Sequence, residues 1–282
     1  MKRAASSILS ITLFISVTVS CKKDTVNPIV PSNACVLQEE YTGLVGNQAV
    51  WEYAYDKSGN LITINHNYPN GTPITIMDVG SAGCVESKVV PPGSDPVITE
   101  LRYEGDMSGS PTKAFLSITL DGITRVNYKT FFFFYDSKGR LYLVGEQTDN
   151  IIGDLEWDLH IFYNDQDNVT GLSYEITTGP TGGSVINVEA YDDKPTPYAG
   201  IKSWRFLLNH WAWDNYDPEP ILTALSKNNP LDYALNKGTP GQYLRTMTYE
   251  YNENGFPLRR INTNKNASGE YTFEQTFAYE CR

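Results

Sequence analysis

The chain has 282 residues, with 22 Lys and Arg against 33 Asp and Glu, a formal net charge of −11. So acidic a surface repels phosphate backbones and anionic head groups, which argues against nucleic acid as a partner. His66, His160 and His210 lie far apart without metal-ligand spacing, so a catalytic zinc site lacks its ligand set and no cofactor is expected.

The N-terminal residues set an address. Lys2 and Arg3 precede an apolar stretch over residues 8–19 that is too short to span a bilayer as a permanent helix. Residues 1–20 therefore read as a secretory signal peptide. Residues 18–21, Thr-Val-Ser-Cys, resemble a lipobox with Thr18 where leucine is usual, so Cys21 is the expected lipidation site and new N-terminus. Several acyl chains on one residue hold a protein on a membrane stably. The expected location is the cell envelope, by lipid anchor, on the periplasmic or surface face of an outer membrane. Residues 21–33 carry two prolines among polar neighbours and read as a flexible tether.

Cys35, Cys84 and Cys281 follow in the remaining chain. An oxidising compartment permits one disulfide among them and leaves one thiol over. Spacing does not choose the pair; Cys35 with Cys84 is weakly favoured as the nearest in sequence.

Residues 34–282 read as one domain. Trp51, Tyr53 and Tyr55 alternate with smaller partners, as do Phe273, Gln275, Phe277, Tyr279 and Cys281. That period of two, in aromatic and β-branched residues, marks strands with one buried face. Four consecutive phenylalanines, residues 131–134, predict a strand covered on both faces. With 19 Tyr and 11 Phe, the chain can build a large core.

Between strands the turns share a template: Tyr, then Asp or Asn, two polar residues, Gly, any residue, and an apolar one. It runs through Tyr55, Asp56, Gly59 and Leu61, and again through Tyr135, Asp136, Gly139 and Leu141. A third copy uses Tyr251, Asn252 and Gly255, with Pro257 displacing the apolar residue to Leu258. A degenerate copy passes through Tyr163 and Asn164, with Asp167 where glycine should stand. Asx side chains bond backbone amides two residues on and start a type I turn. Glycine then takes positive φ and ends a tight, bulged hairpin. The array predicts a mainly β fold, a long, twisted antiparallel meander sheet, open or partly closed.

These Tyr-Asp-x-x-Gly-x-Leu units resemble YD repeats of the RHS type. The chain as a whole resembles uncharacterised Bacteroidetes lipoproteins that carry scattered copies of the unit. Residues 191–198, Tyr-Asp-Asp-Lys-Pro-Thr-Pro-Tyr, and 225–230, Leu-Ser-Lys-Asn-Asn-Pro, fit the same group. The resemblance covers most of residues 35–282 and implies an all-β fold on the cell envelope. It implies no activity.

Residues 192–245 interrupt the meander. Near-helical apolar spacing over 201–213 and 219–226, with Pro218 and Pro220 at the start of the second stretch, predicts a short helical or loop insert near 200–230. Trp204, Trp211, Trp213 and Tyr216 form a dense aromatic cluster there, a candidate ligand-binding surface for a polysaccharide or protein if the rings are not simply buried. No nucleophile signature is present. A glycosidase needs only two facing carboxylates, but Glu146, Asp154, Glu156 and Asp158 read as a solvated strand edge or loop. Asp165, Asp167 and Asn168 read as turn chemistry rather than a calcium loop. The expected function is that of a non-catalytic binding or structural module; the alternative is a carboxylate-pair glycosidase.

Overall fold

The computed structural model describes residues 35–44, 47–57, 59–67, 73–78, 84–90, 93, 95–106, 110–148, 157–176, 185–199, 201 and 219–281. Cys21, the tether, and the aromatic cluster of Trp204, Trp211, Trp213 and Tyr216 lie outside the described residues.

The chain begins as an up-and-down run of β1 (Cys35–Leu44), β2 (Asn47–Tyr55), β3 (Leu61–Asn67), β4 (Pro73–Asp78) and β5 (Cys84–Val89). It continues through β6 (Val97–Asp106), β7 (Ser110–Leu120), β8 (Ile123–Tyr135), β9 (Leu141–Thr148), β10 (Trp157–Tyr163), β11 (Val169–Ile176) and β12 (Val185–Asn187). An insert then supplies β13 (Tyr191–Pro195), α1 (Glu219–Leu225) and β14 (Asn228–Pro230). The wall resumes with β15 (Asp232–Leu235), β16 (Tyr243–Tyr251), β17 (Pro257–Asn266) and β18 (Gly269–Cys281).

β18 pairs antiparallel with both β17 and β1, so sixteen strands close into one barrel. This corrects the expected open or partly closed sheet. An open meander leaves a row of unpaired amides and carbonyls on its first and last strands; here pairing from Cys35↔Cys281 to Gly43↔Glu274 consumes both rows. A Cys35–Cys281 disulfide bonds the seam covalently. The favoured Cys35–Cys84 pair is therefore wrong, because closure brings together residues that are 246 positions apart in sequence. Nor is there a thiol left over among the described residues.

The hairpin corners follow local chemistry. At each of four corners an Asx carbonyl accepts from the residue three positions on: Gly59 to Asp56 (3.0 Å), Gly139 to Asp136 (2.9 Å), Asp167 to Asn164 (3.3 Å) and Gly255 to Asn252 (3.0 Å). The Asx side chain adds a second set, as Asp136 Oδ1 accepts from the amides of Lys138 and Arg140, both at 2.9 Å. The fourth residue is left-handed in every copy, with φ of 75°, 79° and 82° at Gly59, Gly139 and Gly255, and 64° at Asp167. A register shift at each preceding Tyr supplies the bulge. The Tyr hydroxyl then reaches an earlier strand: Tyr55 donates to Leu37 O (2.6 Å), Tyr135 to Pro111 O (2.9 Å) and Tyr163 to Leu141 O (2.9 Å).

A Cβ at Gly139 would meet no atom within 4 Å, so any penalty there is purely backbone. Gly139→Val is expected to cost about 1–3 kcal/mol in local strain. Gly139→Asn should cost far less, because Asn tolerates the left-handed region. Thermal melts of the two variants check the difference.

The insert covers the end of the barrel where these corners lie. Lys227 N donates to Asp167 O (3.2 Å), Asn228 N to Asn168 Oδ1 (2.8 Å), and Tyr251 OH to Asp192 Oδ2. The helix expected over 219–226 is α1, which buries Ile221 and Leu222 in the core. Around it the insert is partly strand, with β13 paired to β14 as a separate two-stranded sheet.

Every barrel strand except β17 contributes at least one side chain to a single buried apolar cluster, which also includes Ile221 and Leu222. Phe131 and Phe133 point into it, but Phe134 on the opposite face is 44% exposed. The four-phenylalanine strand is thus covered on one face only. Its outward rings form, with exposed Tyr142 and Phe162, an aromatic area on the outer wall of β8–β10.

Candidate ligand site in the barrel interior

The exceptional strand is β17. Period-two alternation sends Arg260, Asn262 and Asn264 inward, and all three are essentially inaccessible to solvent. Neighbouring strands meet them with further polar groups: Arg245 on β16, Gln275 on β18, and Glu40 and Thr42 on β1. The interior is therefore apolar over most of its wall, with its densest run of polar side chains along this seam.

The seam is organised around Gln275. Its Oε1 accepts from Arg260 Nε (2.8 Å), from Arg260 Nη2 and from Asn262 Nδ2 (2.8 Å). Its Nε2 donates to Glu40 Oε1 (2.9 Å) and Thr42 Oγ1 (3.2 Å). Glu40 Oε2 accepts from Tyr53 OH (3.1 Å) and from Tyr198 OH (2.8 Å) in the insert. Burial first, and then the neighbouring Glu40 charge, push the Tyr53 hydroxyl well above its ordinary value, so Tyr53 remains a proton donor. Gln275 thus bridges a buried carboxylate and a buried guanidinium.

Nearer the end opposite the insert, Arg245 Nε donates to Asn264 Oδ1 (2.7 Å) and its Nη2 to Tyr243 OH (2.9 Å). Its guanidinium lies 5.2 Å from the ring centroids of both Tyr233 and Phe273. Tyr271, the register partner of Asn264 on β18, is 53% exposed. A path of aromatic and polar side chains therefore runs from an exposed rim, through Arg245 and Asn264, to Asn262 and Arg260.

Among the amides of this path, Asn262 Oδ1 and Asn264 Nδ2 have no hydrogen-bond partner. Neither amide can be turned round to cure the defect. Asn262 is oriented by donating to Gln275, and Asn264 by accepting from Arg245. Each unpaired buried group costs about 1–3 kcal/mol. A wall built only for stability would carry leucine or valine at these positions.

The remaining residues singled out by sequence are scattered. Glu146 is buried and paired with Lys129 Nζ at 2.6 Å, against its expected place on a solvated edge; it follows Val144 into the barrel by period two. Asp158 and His160 lie on the outer wall, half-buried, while Asp154 and Glu156 are outside the described residues. His66 is buried and stacked on Trp51 with ring centroids 3.5 Å apart. Asp56, Gly59, Asp136, Gly139, Asn252 and Gly255 are occupied in corners. Glu86 and Glu100 are cross-strand neighbours, and burial followed by repulsion from Glu86 raises the Glu100 carboxyl. They alternate with inward Val85, Ser87, Thr99 and Leu101, so this carboxylate pair sits on the convex outer wall and not in a cleft.

Sequence reading missed the β17 seam. The available signal was Arg260, Asn262 and Asn264 at strand spacing directly after an Asx–Gly corner.

The fold defines a class: a closed sixteen-stranded antiparallel barrel whose interior is packed with side chains. Among solved structures, the chain is similar to a porin-like protein from Bacteroides uniformis, with a TM-score of 0.57 and 14% identity over 90% of this chain and all of that one. A porin-like protein from Bacteroides vulgatus also aligns, at 11% identity and a TM-score of 0.39, over 88% of this chain and 99% of that one. No protein-family model matches the sequence. No curated protein matches it either.

Proposed function

We propose that this chain is a water-soluble barrel, exported and held at the cell envelope by a lipid on Cys21, that serves as a non-catalytic binding module and not as a pore. The carrying observation is its polarity. A membrane-spanning barrel turns an apolar band outward and keeps polar residues inside. Here the apolar cluster lies inside, and charge stands on the outer wall. Arg259 bonds Glu250 on β16 and Glu274 on β18, both at 2.8 Å, in the middle of three adjacent strands. In lipid each such cation would cost about 2–4 kcal/mol at the midplane. Sixteen strands are enough to enclose an aqueous channel, but this interior is filled by the core cluster and α1.

Kinship with the YD-repeat-bearing Bacteroidetes lipoproteins belongs to the same reading. Four Asx corners of one geometry support it, as does the signal-peptide pattern over residues 1–20, just before Cys21. The mature chain carrying Cys21→Ser should purify without detergent and leave planar bilayers non-conducting. A need for detergent, or stepwise conductance, would overturn the soluble-barrel reading. Metabolic labelling with palmitate should mark the unaltered chain and not the Cys21→Ser form; a Cys21 held in a disulfide would overturn the anchor.

A further inference from the structure

We infer that the outer wall of β8 and β9 is the contact face of a two-fold homodimer, in which each barrel packs its exposed aromatic rings against a second copy. The inference rests on the soluble-barrel reading above, since a wall immersed in lipid would need no protein cover.

Alternation along four neighbouring strands sets one row of outward side chains at a single height. Register partners carry the row from Lys113 on β7 to Phe132 on β8, Gly145 on β9 and Asp158 on β10. Beside it lies a second outward pair, Phe134 and Leu143, with Phe134 44% exposed. Contiguous apolar surface left in water on a soluble protein marks a contact face. The two ends of the first row carry opposite charge, and both side chains lean toward its middle. Lys113 Nζ stands 5.1 Å from the centroid of the Phe132 ring. Asp158 Oδ1 comes within 3.1 Å of where a Cβ on Gly145 would stand. Neither charge has an ion-pair partner among the described residues.

This row is its own complement. A half-turn about an axis along the strands, placed between β8 and β9, lays β8 of one barrel over β9 of its partner and β7 over β10. Rotation about that axis preserves height, so the row of one copy faces the row of the other. Phe132 then meets the partner's Gly145, the one position in the row without a side chain, and Lys113 meets the partner's Asp158. Phe134 meets the partner's Leu143 in the same way. Each contact occurs twice, as an isologous interface requires. Apolar side chains fill the centre, and a charge pair closes either flank. The barrel wall curves away beyond β7 and β10, so Glu104 and Glu175, next in the row, stand clear of each other. An anionic surface fits this face less well, because it would meet Asp158 on a chain of net charge −11.

Sedimentation velocity of the mature chain with Cys21→Ser, without detergent, is the test. The parent should form a concentration-dependent dimer. Phe134→Ser, Lys113→Asp and Asp158→Lys should each weaken it about tenfold or more, since either reversal sets like charges together twice. All three positions lie on the outer wall, so the melts should stay with the parent's. Rescue is the sharper readout. Lys113→Asp and Asp158→Lys combined in one chain should restore the dimer, and so should mixing the two singly reversed chains. Within one chain the two positions are three strands, about 14 Å, apart, so a restored dimer reports contact between copies. A parent that stays monomeric up to roughly millimolar concentration would overturn the proposal. So would a dimer indifferent to all three substitutions, or reversals that weaken it and never rescue each other. A monomer that sediments with phosphatidylglycerol vesicles, and stops doing so with Phe134→Ser, would give the face to lipid and equally overturn the dimer. A detergent-free, non-conducting monomer leaves the soluble-barrel reading standing, so the two fail separately.

Discussion

Replacing Cys35 and Cys281 together by serine is expected to cost the barrel about 2–5 kcal/mol. The two cysteines are register partners at the start of the first strand and the end of the last, 246 positions apart. On the chain-entropy account a loop of that length is worth about 5.5 kcal/mol, which sets the ceiling. At roughly 2–4 °C per kcal/mol for a chain of this size, the midpoint should fall by about 5–20 °C in scanning calorimetry. Asn254, in the third Asx–Gly corner, packs its Nδ2 at 3.5 Å from Cys35 Sγ and 3.6 Å from Cys281 Sγ, so the neighbouring corner should loosen as well. Hydrogen exchange gives the sharper reading. Amides of β1 and β18 should lose protection before those of β8, whose hairpin partners are local. An unchanged melting midpoint, or seam protection equal to that of β8, would show that hydrogen bonds alone hold the barrel shut.

That the corners were legible in the sequence and the closure was not has one cause. An Asx–Gly corner is made by residues within five positions of one another, so its chemistry is written locally. Asp167 in place of glycine even keeps the left-handed φ, as the degenerate copy suggested. Barrel closure is instead a pairing between the two ends of the domain, and no local pattern encodes it. The same limit produced the wrong disulfide preference, since proximity in sequence stood in for proximity in space.

The interior seam was hidden for a different reason. Along β17, Ile261 and Thr263 alternate with Arg260, Asn262 and Asn264, and hydrophobic patterning would turn Ile261 inward. The structure does the opposite, because a register shift near Tyr251 and Pro257 sets the phase of the strand. Glu146 was misread similarly: it belongs to an acidic stretch by sequence but to the inward phase of β9 by geometry, where Lys129 meets it. At residues 131–134 composition alone could not tell a strand buried on both faces from one that leaves Phe134 on the outer wall. Binary patterning thus located the strands, while the side that each presents to the interior depended on bulges and cross-strand partners.

Raising the pH should unfold this barrel cooperatively, with tyrosine ionisation accompanying the collapse and not preceding it. Burial is the largest cause of the upward shift at Tyr55, Tyr135, Tyr163, Tyr251 and Tyr279, as at Tyr53. Tyr191 is pushed up to about 12 by the same cause. In an unfolded chain these phenols ionise near pH 10. Between that pH and their folded values the native state holds more protons than the unfolded one, so the unfolding free energy falls as pH rises. The stability they confer is complete below about pH 10 and is lost as pH climbs through the folded values. Tyr191 alone accounts for roughly 2–3 kcal/mol of that loss, at 1.36 kcal/mol per unit. Far-ultraviolet dichroism and absorbance at 295 nm, followed together, should therefore change in one transition above pH 10. Tyr163→Phe sharpens the test. It forfeits a hydrogen bond to Leu141 O worth about 1 kcal/mol at neutral pH, yet it removes a phenol that must ionise, so its alkaline loss of stability should be shallower than the parent's. Ionisation completed while the dichroism is intact would mean that the tyrosines at the barrel corners are open to water, and the packed lumen argued from them would have to be abandoned.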